Sequence, residues 1–198
     1  VGNAYKKEYL GKTVMTQPKR PLLTSRQIAA AATLGGLGFA WRALGLVIPM
    51  PVPGYVIDIR EPVYNFAACL FGPYVAIICS FLGGLPTPIP VAVWSGGILA
   101  NPLTCYVWKN LRVWRLPWKY KVPILYALYA VWMFIFLTIL MLYSSYIAHY
   151  WPFLPMWTFA LTGGPFLIWW AVQATMLIVM LRAASPKGVT REPDWRWR

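Results

Sequence analysis

The run PVYNFAACLFGPYVAIICSFLGGL, from Pro62 to Leu85, decides how this chain is folded. It carries no Asp, Glu, Lys or Arg, and neither does the rest of the chain between Glu61 and Lys109. A helix needs roughly 20 apolar residues to cross about 30 Å of hydrocarbon, so the run can make one ordinary crossing. At its middle stands Gly72-Pro73, a pair that breaks helices and turns chains. Read as a hairpin, the same run makes two short arms of roughly 20 Å each.

Charge chooses between these readings. Of 198 residues, 59% are hydrophobic and only 12% charged, against about 25% charged in a soluble domain. Between Lys121 and Arg182 no Asp, Glu, Lys or Arg occurs, and His149 is the only group there that titrates near neutrality. The basic residues fall in three clusters: Lys6, Lys7, Lys12, Lys19, Arg20 and Arg26; Lys109, Arg112, Arg115, Lys119 and Lys121; Arg182, Lys187, Arg191, Arg196 and Arg198. A single crossing by Pro62–Leu85 gives five spans and puts the middle cluster opposite the first, against the positive-inside rule. A hairpin gives six spans, with all three clusters and both termini cytoplasmic. The expected fold is therefore an all-α integral membrane protein with six transmembrane helices. Residues 1–27 form a basic cytoplasmic segment, 28–182 the transmembrane domain and 183–198 a basic cytoplasmic tail. The two arms are short and need shielding by neighbours or local bilayer adjustment.

The other spans read as Gln27–Ile48, Val91–Trp108, Val122–Ile147 and Thr158–Leu181. Pro49, Pro51, Pro53 and Gly54 end the first, and a polar connector, Tyr55–Glu61, follows. Pro86, Pro88 and Pro90 make a second outer connector, and Trp151, Pro152 and Pro155 a third. Ala32, Gly36 and Ala40 recur every four residues on one face of the first span. Such a ridge lets another helix approach closely, either within the bundle or from a partner subunit. Gly163, Gly164 and Pro165 point to an irregular entry to the last span, tolerated at depth where protein or a cavity covers it.

Several functions are disfavoured. A net charge of +13 can signal nucleic acid, but these charges flank apolar spans, where they set orientation and attract anionic lipid. Cys69, Cys79 and Cys105 sit in apolar sequence with no CxxC or Cys/His cluster, so neither disulfides nor a zinc site are expected. One histidine without a nearby carboxylate or thiol does not make a transition-metal site. No Ser/His/Asp set, HExxH or deep carboxylate pair can be assembled, so no enzyme and no cofactor are expected. The polar, basic first 27 residues do not have the pattern of a cleavable signal peptide.

The stretch ALGLVIPMPVPGYVIDIREPVYNFAACLFGPYVAIICSFLGGLP, Ala43 to Pro86, resembles the first half of the substrate-binding S components of energy-coupling factor (ECF) vitamin transporters. The shared features are an Ala/Gly-rich first helix, a Pro/Gly outer loop, a short second helix ending Leu-Phe-Gly-Pro, and a short third helix with Gly83-Gly84. The later order, with a basic cytoplasmic loop and two long closing helices, also fits. The likeness spans roughly residues 28 to 182. The long N-terminal segment, the tail DWRWR (Asp194–Arg198) and 12 tryptophans depart from the family pattern. Its helix-one signature, alanine, three residues, alanine, has Ala32/Gly36/Ala40 as nearest counterpart.

The resemblance implies a high-affinity binder of a small vitamin-like molecule, coupled to separate T and ATPase subunits. This chain has no GxxxxGK[ST] phosphate loop, so ATP hydrolysis belongs to partners. The binding site then lies under the outer connectors. Asp58, Arg60 and Glu61 are the only charged group there; they fix a charged or zwitterionic ligand, or form a solvated loop with a local ion pair. Tyr55, Trp94, Trp151 and Trp157 stack on a heterocycle or form an ordinary aromatic belt. His149 caps a helix, lies at the interface, or joins the ligand set. Asn101 and Gln173 bond between helices or reach the ligand, and Arg42 snorkels outward. The competing reading is a non-catalytic accessory subunit of a larger integral membrane complex, oxygenase or respiratory, clamped by the Trp-rich surface and basic tails.

Overall fold

The computed structural model describes residues 22–49, 56–58, 60–87, 90–147 and 164–185. Among them the chain is all-α, with six α-helices and one two-residue β-ladder pairing Ile48–Pro49 antiparallel with Val56–Ile57. Helix α1 (Ser25–Ala43) starts at Thr24 with a capping box: Thr24 Oγ1 accepts from the Gln27 amide (3.3 Å), and Gln27 Oε1 accepts from the Thr24 amide (2.9 Å). The Thr-x-x-Gln spacing satisfies two helix-end donors reciprocally. Gln27 Nε2 also donates to the Phe71 carbonyl (2.9 Å) and ties the start of α1 to a later turn.

That turn is Gly72. Helix α2 (Arg60–Phe71) and helix α3 (Pro73–Gly84) have 12 residues each, about 18 Å of helix. Gly72 between them has φ 97°, where a Cβ would clash, and Pro73 opens the second arm with the φ its ring imposes. The chain therefore reverses. Tyr64, in the second turn of α2, packs against Gly83 at the far end of α3 and against Gly38 of α1. Helix α1 presents Ala31, Gly35 and Gly38 to this hairpin. A Cβ on Gly35 would lie 2.8 Å from Leu82 Cδ1, and Cys79 Sγ donates to the Ala31 carbonyl at 3.7 Å.

Helix α4 (Pro90–Cys105) runs beside α2 and α3 into a π-helical turn, Tyr106–Asn110. Asn101 Nδ2 donates to Ser80 Oγ at 2.8 Å and Cys105 Sγ to the Ala68 carbonyl at 3.2 Å. After a 3₁₀ turn (Val113–Arg115) comes α5 (Trp118–Leu142), ending in a second π-turn, Tyr143–Ile147. Helix α6 (Gly164–Ala184) packs antiparallel to α5: Trp170 Nε1 donates to the Tyr126 carbonyl (3.2 Å), while Arg182 stacks over Trp118. Trp108, Leu125, Trp132, Leu177 and Leu181 fill the core between α4, α5 and α6.

Arg26, Lys121 and Arg182 stack on aromatic rings, the first of them beside the Gly72 turn. Arg26 lies over the Phe71 ring (5.6 Å). Lys121, fully buried, rests its ammonium over Trp118 (4.8 Å) and Trp108 (5.7 Å), and Arg182 covers Trp118 (5.3 Å). Cation–π contacts of this kind let an amphipathic stem run along apolar surface while its charge is held.

Element boundaries move from the sequence expectation at informative places. Arg60 and Glu61 belong to α2, not to a connector, and α5 starts at Trp118 instead of Val122. Among the described residues one helix segment, Leu167–Ala184, is long and apolar enough to cross a membrane; Pro73–Gly84 is apolar but shorter.

Candidate functional site, a charge cluster inside the bundle

Three ionisable residues lie where an apolar bundle has least reason to hold them. Asp58 is 7% exposed, Arg60 3% and Glu61 5%. The Arg60 guanidinium donates through Nε to both Asp58 carboxylate oxygens (2.8 and 2.7 Å), its Nη2 pairs with Oδ2, and its Nη1 donates to the Gly83 carbonyl. The Asp58 side chain also accepts from the Arg60 amide (3.1 Å), so the loop aspartate caps the first turn of α2. A planar guanidinium suits this bidentate geometry as lysine does not. The pair is thus buried, not a solvated ion pair in a polar loop.

Its depth follows from Gln173. The Gln173 side chain is fully buried and donates Nε2 to the Asp58 carbonyl at 2.9 Å. Gln173 stands midway along Gly164–Ala184, roughly 14 Å from one end and 16 Å from the other. Asp58 therefore reaches the middle of α6, well below either helix end. Arg60 at the start of α2 and Gly83 at the end of α3 sit at that level too, which is why arms of 12 residues suffice.

The polar groups around this point are tightly matched, with exceptions. Asn65 Nδ2 donates to the Glu61 carbonyl (3.0 Å) and to Tyr129 Oη (3.3 Å), and its Oδ1 accepts from Thr104 Oγ1 (2.7 Å). One amide thus links α2, α4 and α5. The Glu61 carboxylate has no hydrogen-bond or ion-pair partner among the described residues, although its charge is felt at Tyr64 and Tyr129. The charges felt at Glu61 itself are Arg60 and Asp58. Gln173 Oε1 and Tyr64 Oη are buried without a hydrogen-bond partner among the described residues. Because Gln173 must point its NH₂ at a carbonyl, its oxygen cannot be turned to spend itself there. Asp58 is committed to the guanidinium, so an ionised Glu61 would bring the three residues to a net charge of minus one.

No family model matches the chain, and no curated protein or solved structure matches it. Geometry and chemistry therefore carry the functional reading.

Of the residues singled out in the sequence, the structure brings Asp58, Arg60 and Glu61 together and adds Gln173. Trp94 is spent elsewhere: its ring stacks on Phe81 (5.1 Å between centroids), and its Nε1 donates to the Phe81 carbonyl at 3.1 Å. Tyr55, His149, Trp151 and Trp157 lie outside the described residues. Asn101 bonds to Ser80 within the bundle. Ala32, Gly36 and Ala40 are exposed, on a face of α1 distinct from the Ala31/Gly35/Gly38 face that packs inward, and a Cβ on Gly36 would meet nothing within 4 Å. Asn65, Thr104 and Tyr129 join the cluster without having stood out in the sequence. A polar residue inside an uncharged apolar run was the available signal for the first two. Among the described residues no group of His, Cys, Asp and Glu is placed to hold a metal.

Proposed function

We propose that this chain is a polytopic, membrane-embedded solute-binding subunit of the ECF S-component kind, taking up a small vitamin-like molecule with separate T and ATPase subunits. The observation that carries the reading is the Asp58–Arg60–Glu61 cluster at half the depth of an apolar bundle, with one carboxylate left without a partner among the described residues. Ionisable groups at such depth cost several kcal/mol and face cavities, pathways or ligands. Sequence and geometry support membrane placement together: α5 is uncharged from Val122 to its end and about 38 Å long, and Arg26 lies over Phe71 beside the Gly72 reversal, as positive-inside sorting of the first basic cluster requires. The exposed Ala32, Gly36 and Ala40 ridge is then the face for a partner helix, and lipid covers the remaining apolar flanks.

The competing reading, a non-catalytic accessory subunit of an oxygenase or respiratory complex, draws on the self-satisfied part of the cluster, where Arg60 already neutralises Asp58. The test is purification of the native chain from its membrane. Recovery with T and ATPase subunits, plus thermal stabilisation by a vitamin-like molecule, supports the solute binder. Recovery in a stoichiometric redox assembly with no stabilising small molecule overturns it.

A further inference from the structure

We infer that the site takes a cation: a ligand with a protonated or permanently charged nitrogen and at least one N–H group, held by the Glu61 carboxylate and by Gln173 Oε1. This rests on the solute-binding reading and specifies its substrate class. Two independent observations point the same way. Glu61 is 5% exposed and its carboxylate has no hydrogen-bond or ion-pair partner among the described residues, while Arg60 spends Nε and Nη2 on Asp58 and Nη1 on the Gly83 carbonyl. On the neighbouring element, Gln173 is fully buried, anchored by its NH₂ to Asp58, and offers an oxygen that accepts nothing.

Gln173 Oε1 is an acceptor, and Glu61, once ionised, leaves the cluster one negative charge in excess. An anionic ligand would meet a second negative charge at short range in a poorly screened interior, with the one guanidinium already occupied. A neutral ligand would fill the hydrogen bonds but leave Glu61 uncompensated. A cationic N–H donor answers both needs with a charge-assisted bond. The next described cations on α5 and α6, Lys121 and Arg182, stack on Trp118; Arg182 is nine residues below Gln173, roughly 14 Å away. They do not substitute for the ligand.

The experiment sorts probes by charge against the purified full-length chain in detergent, read by thermal shift and by calorimetry. The cationic probes are thiamine and pyridoxamine; the anionic ones are nicotinate, biotin and pantothenate; the neutral ones are riboflavin, pyridoxine and nicotinamide. Each binder is repeated on Glu61→Gln. We expect a cationic probe to bind tightest, and Glu61→Gln to weaken it by roughly one to two orders of magnitude while the unliganded variant melts no lower than the parent. Tight binding confined to anionic or neutral probes overturns the cation assignment and leaves the solute-binding reading standing. So does cation binding that Glu61→Gln leaves unchanged, which would show the carboxylate to be a protonated spectator. Stabilisation by none of the probes, together with recovery in a redox assembly, overturns both.

Discussion

Removing Arg60 and removing Asp58 have very different consequences, although the two residues form one ion pair. In the folded chain the guanidinium pairs with the Asp58 carboxylate and lies within electrostatic reach of Glu61. Arg60→Met leaves the Asp58 carboxylate at half depth without its cation and strips the Gly83 carbonyl of its donor. Breaking a buried pair in this way costs about 3–5 kcal/mol. Asp58→Asn leaves Arg60 with Glu61 beside it, a net-neutral pair, and the amide oxygen can still accept from Arg60. Its cost is that of a weakened charged hydrogen bond, about 1–2 kcal/mol. The triple change Asp58→Asn, Arg60→Met, Glu61→Gln removes every charge and recovers most of the Arg60→Met loss. Denaturant unfolding in mixed micelles, followed by tryptophan fluorescence, measures all three. Arg60→Met within about 1 kcal/mol of the parent, or milder than Asp58→Asn, refutes the picture of Arg60 as the cation that holds this cluster together.

Other substitutions follow from contacts on the same elements. Gly83→Ala drives a methyl into the Tyr64 ring and hydroxyl and should lower the melting temperature markedly, by overpacking worth about 1–3 kcal/mol, whereas Gly36→Ala, into open space, should leave the isolated chain as stable as before and change only the yield of a co-purified partner complex. Tyr64→Phe removes a buried hydroxyl that has no partner and should be neutral or stabilising by up to about 1 kcal/mol in the same unfolding assay. Asn65→Ala removes a partner from both Thr104, which keeps the Ala100 carbonyl, and Tyr129 and should cost about 1–3 kcal/mol, more than Thr104→Ala alone.

Much of the architecture was legible in the sequence because turn chemistry and charge are local signals. Gly72-Pro73 announced the reversal, and the Thr24–Gln27 spacing fixes a helix start that needs no tertiary help. The depth of the charge cluster was not legible. Asp58, Arg60 and Glu61 sit beside a proline-rich connector, and composition alone reads such a segment as solvated. The bond from Gln173 that draws Asp58 down to mid-bundle joins residues 115 positions apart, beyond any periodicity. The face of α1 was legible only in part: four-residue spacing marks Ala32, Gly36 and Ala40 as one ridge, but Ala31, Gly35 and Gly38, one residue round the helix, line the contact with α3 because Tyr64, Cys79 and Leu82 need room there. Likewise nothing in the sequence tells that Trp94 is committed to Phe81.

Membrane placement is tested most directly by single cysteines at Arg26, Leu46 and Lys119, labelled in intact cells and in inverted vesicles with a membrane-impermeant maleimide. Arg26, Leu46 and Lys119 are exposed, while Cys69, Cys79 and Cys105 are buried and give little background. A chain that reverses at Gly72 within the bilayer labels at Arg26 and Lys119 from the cytoplasm and at Leu46 from outside. Labelling of Arg26 and Lys119 from opposite sides, or of all three from one side, contradicts it.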